Sequence, residues 1–400
     1  MKNKLMLNLI LTTLIILFVN NTSMARSNTK SDLTISKIEI YKVNLELKEH
    51  QRLSQGVLTH AKILVIKVFT QSGIYGTGEV TPLTILMGET QESCFEMAKE
   101  LGNQILGKNS LEINRLVHEM DNLIPGNSGI KSAFDMALYD IAAKHAGLPL
   151  YQFLGGSNKN LIIDRTIFID TPEKMADRAE LLVNNGIKML KVKLGDGVHT
   201  DIDRIKAIRN KIGIDIPIKV DANQGWNEVE AIQVIRELEK YNIEYIEQPI
   251  AKDNFEGMAR LKSKSNIPIM ADETVWNYRD AARLLILNGC DLMNIKLAKS
   301  GGIYNAQKIA AIAESADIDC MVGCMQETRF GLTALAHFVM ANNIIKHYDM
   351  DSNFALKEDP VDGGIVFIDD YYWSLPSDKI GIGADFKQEY LDKSEKFIIK

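Results

Sequence analysis

The chain has 400 residues, of which 46% are hydrophobic and 24% are charged, and its formal net charge is −6. This composition is typical of a globular protein with room for two or three domains, and the scattered negative charge argues against nucleic acid as a partner. The four cysteines would permit two disulfides, but a chain of this size does not need such cross-links, so we expect free, buried thiols.

The first 25 residues have the layout of a secretory signal peptide. Lys2 and Lys4 precede an apolar stretch from Leu5 to Val19, and a small-residue site ends at Ala25. The alternative is a membrane anchor, but this stretch is shorter than the roughly 20 apolar residues that span a bilayer. We therefore predict cleavage after Ala25, export, most simply to a periplasm, and a mature chain that does not contact the membrane.

Residues 33–150 are predicted to form an α+β domain. Three alternating segments predict strands, and three amphipathic segments after them predict helices. The strand segments are SKIEIYKVNLEL, AKILVIKVFT and GIYGTGEVTP, and the helical segments are ESCFEMAKELGNQIL, LEINRLVHEMDNLI and GIKSAFDMALYDIAAKHAG.

Residues 151–355 show strands and helices in strict alternation. The eight strand segments are DRTIFID, KMLKVKL, IPIKVDA, EYIEQ, IPIMADE, DLMNIKL, DIDCMVG and KHYDMD. Eight such repeats predict an α/β fold, a TIM-type (β/α)8 barrel, with functional residues at the C-terminal ends of the strands. Residues 356–400 come too late for another repeat, and we expect them to return to the N-terminal domain.

Three carboxylates close three successive predicted strands. Asp221, Glu247 and Asp272 are spaced by 26 and then 25 residues, so they should converge above one end of the barrel. An acid at a strand end commonly caps the next helix, but three on adjacent strands would repel each other unless they share a cation. Ligands that are all oxygen favour Mg²⁺ over Zn²⁺.

Lysines close the predicted strands on either side of these acids. Lys191 and Lys193 lie two apart on strand two and should both point into the barrel, and Lys296 ends strand six on the opposite side. A single such lysine could be no more than a solvated strand end. A lysine beside a cation has a lowered pKa, so this pair could supply one neutral base and one charged acid near pH 7.

Taken together, the motifs KVK, DANQGW, EQP, ADE and NIKLAKSGG resemble those of the enolase superfamily, muconate-lactonizing-enzyme subgroup. The resemblance implies that Asp221, Glu247 and Asp272 bind one Mg²⁺ and that Lys193 and Lys296 are the acid/base pair, with Lys191 tuning Lys193. No histidine ends strand seven, where CMVGCMQET stands, so a His/Asp mechanism is not expected.

The last barrel strand carries two further acids, Asp349 and Asp351, on one face. Such a pair is often only part of a solvated loop. In this superfamily an Asp-x-Asp here resembles the dipeptide epimerases, in which it holds the α-ammonium of the substrate. The resemblance implies two-base 1,1-proton transfer at the Cα of the C-terminal residue, through a metal-stabilised enediolate.

Selectivity for the substrate side chain is expected to come from the segments LKEHQRLSQGVLTHAK and TPLTILMGETQES. Epimerases of Ala-Glu resemble this chain but carry an arginine where Gly56 stands; Arg52 lies four residues earlier and, with Met325, is a substrate-binding candidate. The apolar residues of these segments are Leu53, Val57, Leu83, Ile85, Leu86 and Met87. We therefore expect Ala-Xaa dipeptides with a neutral or hydrophobic Xaa.

Other functions remain open at this point. An L-Ala-D/L-Glu epimerase of murein peptide turnover would use the same centre. So would a lyase of the o-succinylbenzoate synthase or muconate cycloisomerase type, whose substrates lack an ammonium group. An exported peptide-binding protein without catalysis would not need both lysines. A homo-oligomer is expected.

Overall fold

A computed structural model describes residues 33–369 and 371–400. The predicted signal segment, residues 1–25, lies outside the described residues. Within the described part of the chain, no helix is both long enough and apolar enough to cross a membrane.

The N-terminal domain contains a four-stranded antiparallel sheet, in which the last strand of the chain, β17 (Glu395–Ile399), lies beside the first three strands in the order β17-β1-β2-β3. The first three strands are β1 (Ile35–Leu53), β2 (Gly56–Thr70) and β3 (Tyr75–Val80). The helices that follow are α1 (Thr84–Met87), α2 (Gln91–Ile105), α3 (Ile113–Leu123) and α4 (Ser128–Ala146), with a short α5 (Leu150–Phe153) leading to the barrel.

The β1–β2 hairpin is longer than the sequence pattern indicated. Strand pairing resumes beyond Glu46 after a register shift and continues to the pair Leu53 and Gly56. A bulge of this kind breaks the alternation that marks a strand, which is why the pattern ended early. The extension carries the predicted specificity segment over the end of the barrel.

Helix α4 lies directly on the sheet because glycine allows the close approach. A Cβ on Gly76 would lie 1.9 Å from the carbonyl oxygen of Ala137, and one on Gly78 would lie 1.8 Å from that of Ala133. Any larger residue would push the helix away from β3. The helix is therefore buried along almost its whole length.

Eight parallel strands form the second domain, with strand order β5 to β12. Their bounds are β5 (Arg165–Ile167), β6 (Leu190–Lys193), β7 (Ile218–Asp221), β8 (Ile243–Glu247), β9 (Ile269–Ala271), β10 (Leu292–Ile295), β11 (Cys320–Gly323) and β12 (Ile345–Asp349). The ring is closed by Asp164 N, which donates to Tyr348 O at 3.3 Å. The predicted TIM-type barrel with an N-terminal α+β domain is confirmed.

Helices cover the outside of the barrel. They are α6 (Pro172–Asn184), α7 (Val198–Ile212), α8 (Glu228–Leu238), α9 (Phe255–Lys262), α10 (Tyr278–Leu287), α11 (Leu297–Ser300), α12 (Ile303–Glu314) and α13 (Arg329–Ala341). Short 3₁₀ helices cover Glu239–Tyr241 and Ser352–Ala355.

The C-terminal segment returns to the first domain. Its elements are β13 (Val361–Gly363), β14 (Val366–Phe367), β15 (Tyr372–Ser374), β16 (Ala384–Phe386), α14 (Gln388–Asp392) and β17 (Glu395–Ile399), while β4 (Leu161–Ile162) pairs with β15. Strand β17 pairs antiparallel with β1, with Ile399 opposite Ile38. The segment that follows the barrel thereby adds a strand to the sheet of the N-terminal domain and connects the two domains. All four cysteines are free thiols, three of them buried.

Candidate active site

A cavity of about 580 Å³ lies between the β1–β2 hairpin and the C-terminal end of the barrel. Lys193 and Lys296 line it from the barrel side, together with Asp349 and Asp351. Leucines of the N-terminal domain line the opposite wall. The structure therefore brings the predicted acid/base lysines and the two late aspartates to one enclosed space.

The three predicted metal ligands meet at the barrel end. Asp221 and Glu247 are the last residues of β7 and β8, and Asp272 directly follows β9. All three are fully buried, and one carboxylate oxygen from each lies within 4.8 Å of the others. Burial, followed by the neighbouring Asp221 charge, raises the pKa of Glu247 to about 8. Three buried oxygen donors that repel each other fit Mg²⁺, which takes carboxylate oxygens as ligands.

The two catalytic lysine candidates each pair with a ligand carboxylate. Lys193 Nζ lies 2.6 Å from Asp221 Oδ2 and 3.1 Å from Asn223 Oδ1, and Lys296 Nζ lies 2.8 Å from Asp272 Oδ2. Burial would lower the pKa of Lys296, but the Asp272 and Glu247 carboxylates outweigh it and raise the pKa. These carboxylates therefore favour the ammonium form of Lys296, and the lowered pKa expected beside a bound cation stays a prediction.

Asp349 and Asp351 both line the cavity but have different partners. Asp349 Oδ2 accepts from Lys191 Nζ at 2.5 Å. Asp351 accepts from Thr166 N at 2.7 Å and from Thr166 Oγ1 at 3.2 Å. The two carboxylates and the Cys324 sulfur lie within 4.8 Å of one another, so the structure brings the two predicted anions together at one wall.

Comparison with known proteins matches this chain over both domains. Residues 35–155 match the family described as mandelate racemase / muconate lactonizing enzyme, N-terminal domain, and residues 174–390 match the family described as enolase C-terminal domain-like. The chain is 40% identical over 368 residues to the D-Ala-D/L-Ala epimerase of Cytophaga hutchinsonii, which covers 92% of this chain and 100% of that protein.

Two further comparisons also extend over most of the chain. The hydrophobic dipeptide epimerase of Enterococcus faecalis is 38% identical over 334 residues, covering 83% of this chain and 94% of that protein. The crystal structure of the Cytophaga hutchinsonii dipeptide epimerase with Mg and D-Ala-L-Val superimposes with a TM-score of 0.90, covering 92% of this chain and 100% of that one.

The chain belongs to the dipeptide epimerase family of the enolase superfamily. This epimerase is an isomerase, and its cofactor is Mg²⁺. The predicted family, enzyme class and cofactor are confirmed.

Lys191 of the epimerase does not line the cavity, although it was predicted among the substrate-binding residues. Its ammonium group is fully buried and lies 2.7 Å from Glu247 and 3.1 Å from Asp221, in addition to Asp349. Burial would lower the pKa of Lys191, but these carboxylates raise it well above its ordinary value. Lys191 therefore contacts three carboxylates of the site, and its predicted role in substrate binding stays a prediction.

Two residues not predicted from the sequence contact the predicted metal ligands of the epimerase. Lys299 Nζ lies 2.6 Å from Asp272 Oδ1 and also donates to the Asp272 and Asn294 carbonyls. Asn294 Nδ2 donates to Glu247 Oε1 at 2.6 Å. Both residues lie within the motif NIKLAKSGG, which the sequence analysis had already linked to the active site. Only the fold reveals which carboxylate each residue contacts.

Glu273, which directly follows Asp272, contacts an amide of the site. Its Oε1 accepts from Asn223 Nδ2 at 3.2 Å. Burial, followed by the charges of Asp272 and Asp221, raises the pKa of Glu273 to about 7. Asn223 thus connects a buried acid of the epimerase to Lys193.

The predicted specificity residues divide into two groups. Arg52 and Met325 line the cavity, as do Leu53, Leu83 and Leu86. Val57 and Ile85 are instead 55% and 38% exposed and, like Met87, do not line the cavity. Of the six apolar residues named from the sequence, three therefore reach the cavity wall.

Proposed function

We propose that the epimerase inverts the Cα of the C-terminal residue of dipeptides by two-base 1,1-proton transfer. The observation that supports this is the placement of Lys193 and Lys296. They belong to the ends of β6 and β10, which are four strands apart in an eight-stranded ring, and both side chains line the same cavity. A Cα held between them has one lysine on each face.

The chemistry follows from these positions. In its neutral form, one lysine takes the Cα proton and becomes an ammonium group, and the opposite lysine donates one of its N–H protons to the other face of the same carbon. When bound, Mg²⁺ supplies positive charge beside the substrate carboxylate, which makes the Cα proton more acidic. The reverse reaction uses the same two groups with their roles exchanged.

The aspartates favour a dipeptide over the substrate of a lyase. Asp349 and Asp351 present two buried carboxylates at the cavity wall, where Asp349 accepts from Lys191 Nζ and Asp351 lies 4.0 Å from Arg165 Nε. A substrate α-ammonium would gain charge-assisted hydrogen bonds here. The substrates of o-succinylbenzoate synthase or muconate cycloisomerase have no such group, and these acids would then be costly to bury.

We further propose a neutral or hydrophobic C-terminal residue as the preferred substrate side chain. Leu53, Leu83 and Leu86 provide apolar surface to the cavity. The alternative, an L-Ala-D/L-Glu epimerase, is favoured by one observation, namely that the Arg52 guanidinium lies at the same wall. However, Arg52 is already paired with Asp196 at 3.2 Å, which reduces its attraction for a substrate carboxylate.

The test is proton exchange in D₂O over a library of Ala-Xaa dipeptides with Mg²⁺, followed by mass spectrometry and NMR. We expect deuterium at the Cα of the C-terminal residue, fastest for apolar Xaa. Lys193→Ala and Lys296→Ala should each abolish epimerisation, and Lys211→Ala, an exposed lysine paired with Glu180, serves as the matched control. Absence of exchange with every dipeptide would contradict the proposal.

We also propose that the epimerase is exported to a periplasm and works there as a homo-oligomer in cell-wall peptide metabolism. The charged start, apolar stretch and small residues before Arg26 support export. Mass spectrometry of the protein recovered from cell fractions tests this, since the mature chain should begin at Arg26 and leave the cytoplasm. Light scattering on the purified protein tests the oligomer, and a single-chain mass would contradict it.

A further inference from the structure

Asn223 forms hydrogen bonds with four other residues at the active site. Its side-chain Oδ1 accepts from Lys193 Nζ at 3.1 Å, and its Nδ2 donates to Glu273 Oε1 at 3.2 Å. Its backbone N–H donates to Asp221 Oδ1 at 2.9 Å, and its carbonyl accepts from Ser54 Oγ of the hairpin at 2.8 Å. Every hydrogen-bonding group of this buried residue is thus engaged.

The backbone of Asn223 is held in an unusual conformation. Its φ of 40° lies in the left-handed region, which asparagine tolerates better than most residues but which carries a cost. That conformation turns the amide toward Lys193 and Glu273 while the backbone still reaches Asp221. A residue held this firmly by its surroundings is suited to fixing the position of a neighbour.

The direction of the Asn223 amide depends on Glu273. An amide has a donor end and an acceptor end, and its neighbours decide which way it points. If the amide were turned around, its NH₂ would face the Lys193 ammonium and its oxygen would face the Glu273 carboxyl oxygen, and both contacts would be repulsive. Glu273 is only 2% exposed, so water does not readily replace it as the acceptor.

The Lys193 ammonium group has three N–H bonds, and two of them are directed by Asp221 and Asn223. Of these two partners of Lys193, Asp221 is one of the three Mg²⁺ ligands and Asn223 is not. The third N–H is left for the cavity that Lys193 lines. Lys296 is held differently, by Asp272, which Lys299 fixes in turn.

We propose that Glu273 is a positioning residue that acts through the Asn223 amide to align Lys193, and hence governs proton transfer on one face of the substrate only. This rests on the proposed two-base function. Its distinctive consequence is asymmetry, because a change at Glu273 disturbs the lysine on one face and leaves the one held by Asp272 in place.

The experiment compares Cα proton exchange in D₂O for the two epimers of an Ala-Xaa dipeptide, measured separately at early times. Lys193→Ala and Lys296→Ala identify which epimer depends on which lysine. In Glu273→Met, which keeps the volume but removes the acceptor, exchange of the Lys193-dependent epimer should fall about 10- to 100-fold, the usual range for supporting residues of a metal site. Exchange of the other epimer should stay close to wild type.

Glu273→Gln retains a side-chain oxygen acceptor and should restore most of the lost exchange. Asp135→Asn is the matched control, since Asp135 is a buried carboxylate that accepts from the Ile303 and Tyr304 backbone N–H groups away from the cavity. Any loss there should affect both epimers equally. If Glu273→Met fails to fold, Asn223→Leu removes the Lys193 acceptor itself and should give the same asymmetry.

Three results for Glu273→Met would overturn the proposal. They are an equal loss of exchange for both epimers, no loss of exchange, and a loss for the same epimer that Lys296→Ala affects. A crystal structure of Glu273→Met gives a readout that does not depend on activity, because the 3.1 Å contact from Lys193 to Asn223 should be lost. If the wild-type epimerase exchanges no dipeptide proton, the proposed function fails, and this structural comparison still decides the role of Glu273.

Discussion

Replacement of Lys191 by methionine is expected to destabilise the protein strongly in the absence of Mg²⁺. The Lys191 ammonium is fully buried and lies within 2.5 to 3.1 Å of Asp349, Glu247 and Asp221. Methionine fills a similar volume but leaves these buried carboxylates to repel each other. Removal of one partner from a buried ion pair costs about 3–5 kcal/mol, and three carboxylates lose their shared partner here.

The free energy of unfolding is measured from urea titrations of wild type and Lys191→Met, once with EDTA and once with saturating Mg²⁺. The loss should approach about 3–5 kcal/mol in EDTA. It should shrink with Mg²⁺, because two positive charges near one site oppose each other, so removal of one favours binding of the other.

Lys219→Met is the matched control for this measurement. Lys219 is 1% exposed and pairs with buried Asp164 at 2.9 Å, an ion pair that includes none of the three predicted Mg²⁺ ligands. Its loss of stability should be the same in EDTA and in Mg²⁺. A loss below about 1 kcal/mol for Lys191→Met in EDTA, the range of an exposed ion pair, would refute the role assigned to Lys191.

The remaining predictions concern three other contacts. Asp351→Asn keeps the hydrogen bonds to Thr166 but removes one negative charge from the proposed binding site of the substrate α-ammonium. The kcat/KM for dipeptides should therefore fall about 100-fold or more. Unchanged kinetics would exclude Asp351 from substrate binding. Arg52→Ala should leave exchange of Ala-Leu nearly unchanged and reduce any exchange of Ala-Glu, and a larger loss with Ala-Leu would contradict the preferred substrate class. Burial raises the pKa of Glu79, which accepts from Thr328, to about 7 from an ordinary value of 4.5. The native state therefore retains this proton to higher pH than the unfolded state, and stability should fall as pH rises from about 4.5 to about 7. Relative to Glu79→Gln, wild type should lose about 3 kcal/mol between pH 5 and pH 8; parallel urea stability curves for the two proteins would show that Glu79 does not titrate in this range.

Much of the active site could be predicted because, in a parallel barrel, the position of a residue along its strand determines where its side chain lies. Alternate residues of a strand point to the same side, and the last residue of each strand lies at the same end of the barrel. Asp221, Glu247 and Asp272 could therefore be assigned to one site from their spacing alone. The same rule placed Lys193 and Lys296 on opposite sides.

The extent of the β1–β2 hairpin could not be predicted from its local pattern. The register shift after Glu46 interrupts the alternation, and strand pairing resumes only because the partner strand continues opposite it. This difference decides which apolar residues of the hairpin reach the cavity: Leu53 does, whereas Val57, on the paired strand, is 55% exposed.

The sequence by itself determined the barrel, the metal ligands and the two opposed lysines, because each depends on a short run of residues and a fixed repeat. Only the tertiary structure decided that Lys191 contacts three carboxylates, that Lys299 contacts Asp272, and that Glu273 accepts from Asn223. These contacts join side chains from different strands across the barrel end. Which side chains come into contact depends on their distance and burial once the barrel has closed. No local pattern in the chain predicts these pairs.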